Sequence, residues 1–373
     1  MILNEHVNRK IIPVAGGKGG VGKSVLSVNL ALSLAKSGKR TVLVDLDLGG
    51  SNVHTLLGEK NTHPGIGNFV SDKSLTIPSL VCETEYENFA YVPGDVLAYG
   101  LGDLTKNVRK RLSDGLLDLD ADYVIVDLGS GSNFTIVDFF LISNSGLVVT
   151  TPQHTSVLNA YSFLKNMVFR FLLRAFASDA KISSYLKRVV KEKKPGSAGR
   201  VIDILDGIEK INPSAREKAE AFLDVLQPKL ILNKGKSLDD ISIARGLHDL
   251  VARNLSVELE CLGTVLDDPL VGGSVDKQAP FVMAHPESVS GQSVDRMALK
   301  IIQSNHFPHM PLELDYYADT FELAQIEMEN DLSTTKPPNE EGDYEVDQLL
   351  ELLKMQQERI QELQGTVRML SMN

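Results

Sequence analysis

The sequence predicts an α/β fold: a doubly wound, mostly parallel sheet flanked by helices, with a helical insertion and a C-terminal coiled-coil-like helix. Three observations carry this reading. Short apolar runs recur along the chain, helix-patterned segments separate them, and two of the runs end in aspartates with a glycine close behind. The runs place strands near 10–15, 41–46, 88–92, 123–127, 146–151, 229–233 and 260–266.

The first run, Lys10-Ile-Ile-Pro-Val-Ala15, leads into Gly16-Gly-Lys-Gly-Gly-Val-Gly-Lys-Ser24, and helix-forming residues continue to Lys36. A glycine-rich loop between strand and helix can wrap an anion, because its backbone N–H groups and the helix N-terminus converge on phosphate oxygens. Gly17, Gly19, Gly20, Val21, Gly22, Lys23, Ser24 and Val25 are therefore the expected phosphate contacts. Lys23 would neutralise the β- and γ-phosphates, and the Ser24 hydroxyl would ligate Mg²⁺. The bland alternative is a flexible turn, which the strand-helix context opposes. Lys18 adds a second lysine near the start of the loop.

The next element, Thr41-Val-Leu-Val-Asp-Leu-Asp-Leu-Gly-Gly-Ser-Asn52, is a strand ending in two carboxylates. Asp45 and Asp47 lie two apart, so they share a face near the carboxyl end, where open α/β sheets bind ligands. Asp122-Tyr-Val-Ile-Val-Asp-Leu-Gly-Ser-Gly131 is a further buried strand ending in Asp127. It reads as a Walker B strand, with Asp127 holding Mg²⁺ through its water shell and the glycines sensing a γ-phosphate. Any one of these aspartates could be an ordinary turn or cap residue. All three elements in order point to a nucleotide.

Together these segments resemble the MinD/ParA family of deviant Walker A ATPases, over residues 10–305. The resemblance implies ATP and Mg²⁺ as ligands, an ATP-dependent homodimer, and slow hydrolysis stimulated by protein partners. It implies that Lys18 reaches the partner's phosphates, as an arginine finger does. Asp47 would orient the attacking water, and Asp45 would join Ser24 and Asp127 near the Mg²⁺ shell. Asn233, in Pro228-Lys-Leu-Ile-Leu-Asn-Lys234, falls where the family reads adenine; a surface asparagine in a helix-opening turn is the other reading. The loop Leu266-Asp-Asp-Pro-Leu270 would close the base pocket. Asp47-Leu-Gly-Gly-Ser-Asn-Val-His54 is similar to the switch segment of the flagellar-number regulators of FlhG/FleN type. The implied role is spatial organisation: flagellar placement or number, a division site, or partitioning of a cargo or chromosome. A metal-cluster carrier, a small-molecule kinase or ligase, and a noncatalytic scaffold are the competing classes.

Composition fits this picture. With 373 residues, 43% apolar and 23% charged, the chain can bury a sizeable core. No apolar run approaches the roughly 18 residues of a membrane span, and no signal-peptide layout is seen, so a cytoplasmic setting is expected, with peripheral membrane contact in the ATP state as an option. Two cysteines, Cys82 and Cys261, suit buried thiols better than a metal site.

The net charge of −11 resides in residues 313–347, which hold twelve Asp/Glu and one Lys. That composition predicts a flexible acidic linker over 313–345, following an ATPase domain over 1–312. Beyond it, Val346, Leu349, Leu353, Ile360, Leu363, Val367 and Leu370 form a heptad seam, so 346–373 is expected to pair with another helix or to touch membrane. An insertion over 160–227 is expected to be helical, with an apolar stripe of Phe163, Leu164, Met167, Val168, Phe171, Leu172 and Phe176. Residues 165–200 carry a charge of +8. Such a stripe can meet DNA nonspecifically, anionic lipid or a protein partner, or be a solvated face over a core contact. His154 is read as a turn residue, with Thr155 or Ser156 capping the helix that follows.

Overall fold

A computed structural model of the chain describes residues 9–94, 104–191, 200–303 and 320–334. Its strands are β1 (Lys10–Ala15), β2 (Thr41–Leu46), β3 (Cys82–Glu83), β4 (Phe89–Val92), β5 (Tyr123–Leu128), β6 (Leu147–Thr150), β7 (Lys229–Gly235) and β8 (Glu260–Leu266). They form one sheet in the order β3-β4-β2-β5-β1-β6-β7-β8. All neighbours run parallel except β3 and β4. Every strand anticipated from the apolar runs is present.

The helices are α1 (Lys23–Lys36), α2 (Val53–Leu56), α3 (Ile66–Ser71), α4 (Lys106–Leu117), α5 (Phe134–Phe140), α6 (His154–Ala175), α7 (Ala180–Lys191), α8 (Val201–Ile211), α9 (Pro213–Asp224), α10 (Asp239–Leu255), α11 (Pro269–Asp276), α12 (Phe281–Ala284), α13 (Val289–Gln303) and α14 (Thr320–Thr334). Side chains alternate across each strand, so the sheet divides the core in two. Val124, Val126 and Leu128 of β5 join the core under α4 to α10, whereas Tyr123 and Ile125 join the core under α1 and α13. Burial on both faces explains why β2 and β5 are continuous apolar runs. β1 lies between β5 and β6, so the chain winds outward in both directions from the strand that carries the glycine loop. The carboxyl ends of β1, β2 and β5 therefore border one crevice.

The long connection from β6 to β7 is helical, as expected, and consists of α6 to α9. Phe163, Leu164, Met167, Val168, Leu172 and Phe176 are buried in the core, with Phe163 edge-on to Phe140 at 5.0 Å. Phe171 is only partly buried. No helix among the described residues is long and apolar enough to cross a membrane.

Within the expected acidic linker, residues 320–334 instead form α14, packed along β8. Phe321, Ala324 and Met328 are spaced to share one helical face and are fully or nearly fully buried. Two of its carboxylates meet cations of α13: Glu327 lies 2.6 Å from Lys300, and Asp331 lies 2.6 Å from Arg296. Local composition reads as solvated acid because those partners lie outside the acidic segment. The helix also covers an edge strand that would otherwise offer open hydrogen-bonding groups. The heptad seam over 346–373 lies outside the described residues.

The packing of α14 generates a stability prediction. Phe321→Ala should cost about 3 kcal/mol in urea denaturation. A loss below about 0.5 kcal/mol would fit a solvated linker instead.

Candidate nucleotide-binding site

The glycine loop leaves β1 at Ala15 and enters α1 at Lys23. Gly20 and Gly22 have φ of +82° and +90°, a backbone region that favours glycine. Gly22 is the N-cap of α1, and no side chain caps the helix, so its leading N–H groups have no side-chain acceptor there. The loop is clamped where it begins: a Cβ at Gly17 would lie 2.0 Å from the Asn159 carbonyl oxygen of α6. At Gly20 the same construction meets open space. Lys23 is only 6% exposed, so its ammonium is held within the crevice.

Beneath the loop, Asp45 of β2 and Asp127 of β5 are register partners, and both are fully buried. Asp127 Oδ1 accepts a hydrogen bond from Ser27 Oγ at 2.9 Å. Its Oδ2 is buried with no hydrogen-bond partner. Burial, then the neighbouring Asp45, push the Asp127 carboxyl up to about 7, while the Ser24 hydroxyl, the Lys23 ammonium and the Ser27 hydroxyl pull it back. An orphaned carboxylate oxygen in so anionic a place, with the Ser24 hydroxyl nearby, fits a hard divalent cation such as Mg²⁺.

Asp45, expected near the Mg²⁺ shell, is bonded to the loop that follows β2. Its Oδ1 accepts from the Asp47 N–H at 3.0 Å, and its Oδ2 accepts from Ser51 Oγ at 2.7 Å and from the Asn52 and Val53 N–H groups at 3.2 Å each. Three of the four bonds fall on Oδ2, and Oδ1 keeps one acceptor position open. Asp45 thus organises the loop from Asp47 to Asn52 and the start of α2. Burial raises its pKa, and these hydrogen bonds oppose the rise.

Asp47 reaches across to the loop after β5: a Cβ at Gly129 would lie 3.1 Å from Asp47 Oδ1. That second loop joins the first through Gly131 N–H, which donates to the Gly16 carbonyl at 3.3 Å. Lys18 is exposed, and its Nζ lies 3.3 Å from Thr155 Oγ1 on the first turn of α6. His154 opens that helix, with Gln153 as an N-cap that makes no side-chain bond. Ser156, expected as a cap, instead accepts from the Thr151 N–H at 3.1 Å.

Asn233 is 8% exposed and donates from Nδ2 to the Val21 carbonyl at 2.8 Å. It therefore touches the phosphate loop itself, and it is not a surface turn residue. Asp268 caps α11 by accepting from the Leu270 N–H at 2.9 Å, and Asp267 N–H donates to the Gly235 carbonyl at 2.9 Å. Asp127 of β5 and Asn233 of β7 thus meet the glycine loop or its helix, whereas Asp45 and Asp47 meet the loops after β2 and β5. Ser27, Ser51 and Thr155 were not anticipated as participants. Ser27 could have been, since it follows Lys23 by one helical turn on the same face.

A family model described as ParA, the NUBPL iron-transfer P-loop NTPase, matches residues 7–171. Among curated relatives, the flagellum site-determining protein YlxH of Helicobacter pylori is 35% identical over 164 residues, covering 42% of this chain and 53% of that protein. The antiactivator FleN of Pseudomonas aeruginosa is 34% identical over 163 residues, covering 42% and 55%. The chain thus spans about half the length of the curated relatives it matches. The septum site-determining protein MinD of Pyrococcus horikoshii, solved with Mg-ADP, shares the fold at a TM-score of 0.51 and 18% identity, covering 79% of this chain and 96% of that one. The family match over residues 7–171 takes in the glycine loop, both aspartate-ended strands and the start of the insertion, and the fold is shared with that MinD structure.

Proposed function

We propose that the protein is an ATP-switched dimer that hydrolyses ATP slowly and changes partners with its nucleotide state. The observation that carries this is the division between its two loop lysines. Lys23 is buried within its own cradle, whereas Lys18 is exposed on the rim, where its ammonium donates to the Thr155 hydroxyl. A cation placed outside its own cradle suits stabilisation of charge on a neighbour's phosphates.

In this reading the backbone of Gly17 to Gly22 holds the phosphates, with Val25 in the first turn beside them, and Lys23 offsets their charge. Ser24 and Asp127 would hold Mg²⁺, which supplies neutralisation of the phosphate oxygens when bound. Asp47 sits between both switch loops and would orient water. Water adds at the γ-phosphorus as the bond to the bridging oxygen breaks, giving ADP and inorganic phosphate. Loss of the γ-phosphate removes what both subunits grip, and the loops fixed by Asp45 and Gly131 relax.

Names among the relatives refer to a flagellum site and an antiactivator, which supports a role in spatial organisation through protein partners that stimulate hydrolysis. The basic stripe of the insertion supports contact with nonspecific DNA or anionic lipid. In that setting the protein would be cytoplasmic, with peripheral membrane contact in its ATP state.

The family description also mentions iron transfer, which favours a cluster carrier as the second reading. Its chemistry needs clustered thiolates. Cys82 and Cys261 are both buried and lie on β3 and β8, the two opposite edges of the sheet. A protein that is colourless and iron-free when purified anaerobically removes this reading.

Two predictions follow from the roles assigned. Lys23→Ala should abolish binding of fluorescent ATP analogues, whereas Lys18→Ala should bind within about threefold of wild type yet lose turnover by a factor on the order of 100. A Lys18→Ala variant with wild-type turnover would remove the trans-acting role.

The second concerns charge. Because the folded pKa of Asp127 lies near 7, above the reference value of 3.8, the nucleotide-free protein loses stability as pH rises through that window. Asp127→Asn should therefore melt higher than wild type at pH 8, by about 5 °C, and the gap should close toward pH 4. Added Mg-ADP should reverse the order, since only wild type keeps the carboxylate.

A further inference from the structure

Between Asn233 and Gly235 the register of β7 against β8 slips, and Lys234 adopts a left-handed backbone with φ of +60°. A non-glycine residue rarely adopts this region, and it persists there where surrounding structure holds it. Such bulges re-aim side chains beside functional sites. Here the bulge follows directly on Asn233, whose amide is bonded to the Val21 carbonyl of the phosphate loop.

What holds the bulge is α14. A Cβ at Gly235 would lie 2.8 Å from Met328 Cε, so the Met328 methyl fills the space over that glycine. Met328 is fully buried. Its helix is anchored on both sides of it, by Glu327 on Lys300 at 2.6 Å and by Asp331, which accepts from Arg296 Nη2 at 2.6 Å and from Ser293 Oγ at 2.9 Å. Gly235 also accepts from Asp267, which ties the same point to the loop leading into α11.

We propose that Met328 is a positioning residue for nucleotide binding: seated on the β7 bulge, it keeps Asn233 against the phosphate loop, so that docking of α14 sets nucleotide affinity. The inference rests on the nucleotide reading above. A helix from the acidic segment then becomes part of the switch, and a partner that lifts α14 would loosen the nucleotide.

The test is calorimetric titration of ADP with Mg²⁺ into the full chain. Met328→Ala should weaken ADP roughly tenfold, and Met328→Leu should restore affinity to within about twofold of wild type. In an Asn233→Ala background the Met328→Ala change should add nothing further, because its effect runs through Asn233. Leu223→Ala, at a buried position in α9, should lower the melting temperature without moving ADP affinity. If Met328→Ala does not fold, Met328→Val carries the same comparison. Unchanged ADP affinity in the Met328 variants, or effects that add to Asn233→Ala, overturns the inference and leaves the nucleotide reading standing. A wild-type chain that binds no ADP overturns both.

Discussion

The phosphate loop is held in place by its neighbours, and the rest of the site depends on that. Its glycines offer almost no side chain to pack, so its shape is set by contacts from three sides. The α6 backbone presses on Gly17, the Gly131 N–H holds the Gly16 carbonyl, and Asn233 holds the Val21 carbonyl. The clamps come from α6, from the loop after β5 and from β7. A change in any of them alters the cradle, which is how a small loop can report its contents to distant parts of the fold.

Electrostatics supplies the second constraint. Two buried carboxylates are register partners on β2 and β5; both oxygens of Asp45 accept hydrogen bonds, whereas Asp127 Oδ2 accepts none. Asp45 accepts from three backbone N–H groups and the Ser51 hydroxyl and so fixes the loop after β2. Asp127 keeps an oxygen in reserve, which leaves the empty site poorly balanced and a cation-bound site better balanced. Stability and ligand binding are therefore coupled through the same pair.

Much of the architecture was legible in the sequence because buried parallel strands are apolar runs with glycine or aspartate at their carboxyl ends. Seven strands and the loop could be read that way. β3 could not, since two residues, Cys82 and Glu83, carry no periodicity. The helix α14 was hidden by its own composition: two of its acids, Glu327 and Asp331, pair with Lys300 and Arg296, which lie in α13. In the site, residue types and order identified Lys23, Ser24 and Asp127. The tie from Asn233 to Val21 joins residues 212 positions apart, and the hydrogen bonds to Asp45 depend on how one loop folds back. Neither leaves a local pattern.

An exposed lysine on the rim of a cradle, beside a buried one inside it, suggests a site completed by a second copy of the chain. Sedimentation velocity measures that most directly, with a nonhydrolysable ATP analogue, with ADP and without nucleotide. The account predicts a doubled mass with the triphosphate alone, lost in Lys18→Ala. The same mass in all three conditions would contradict it.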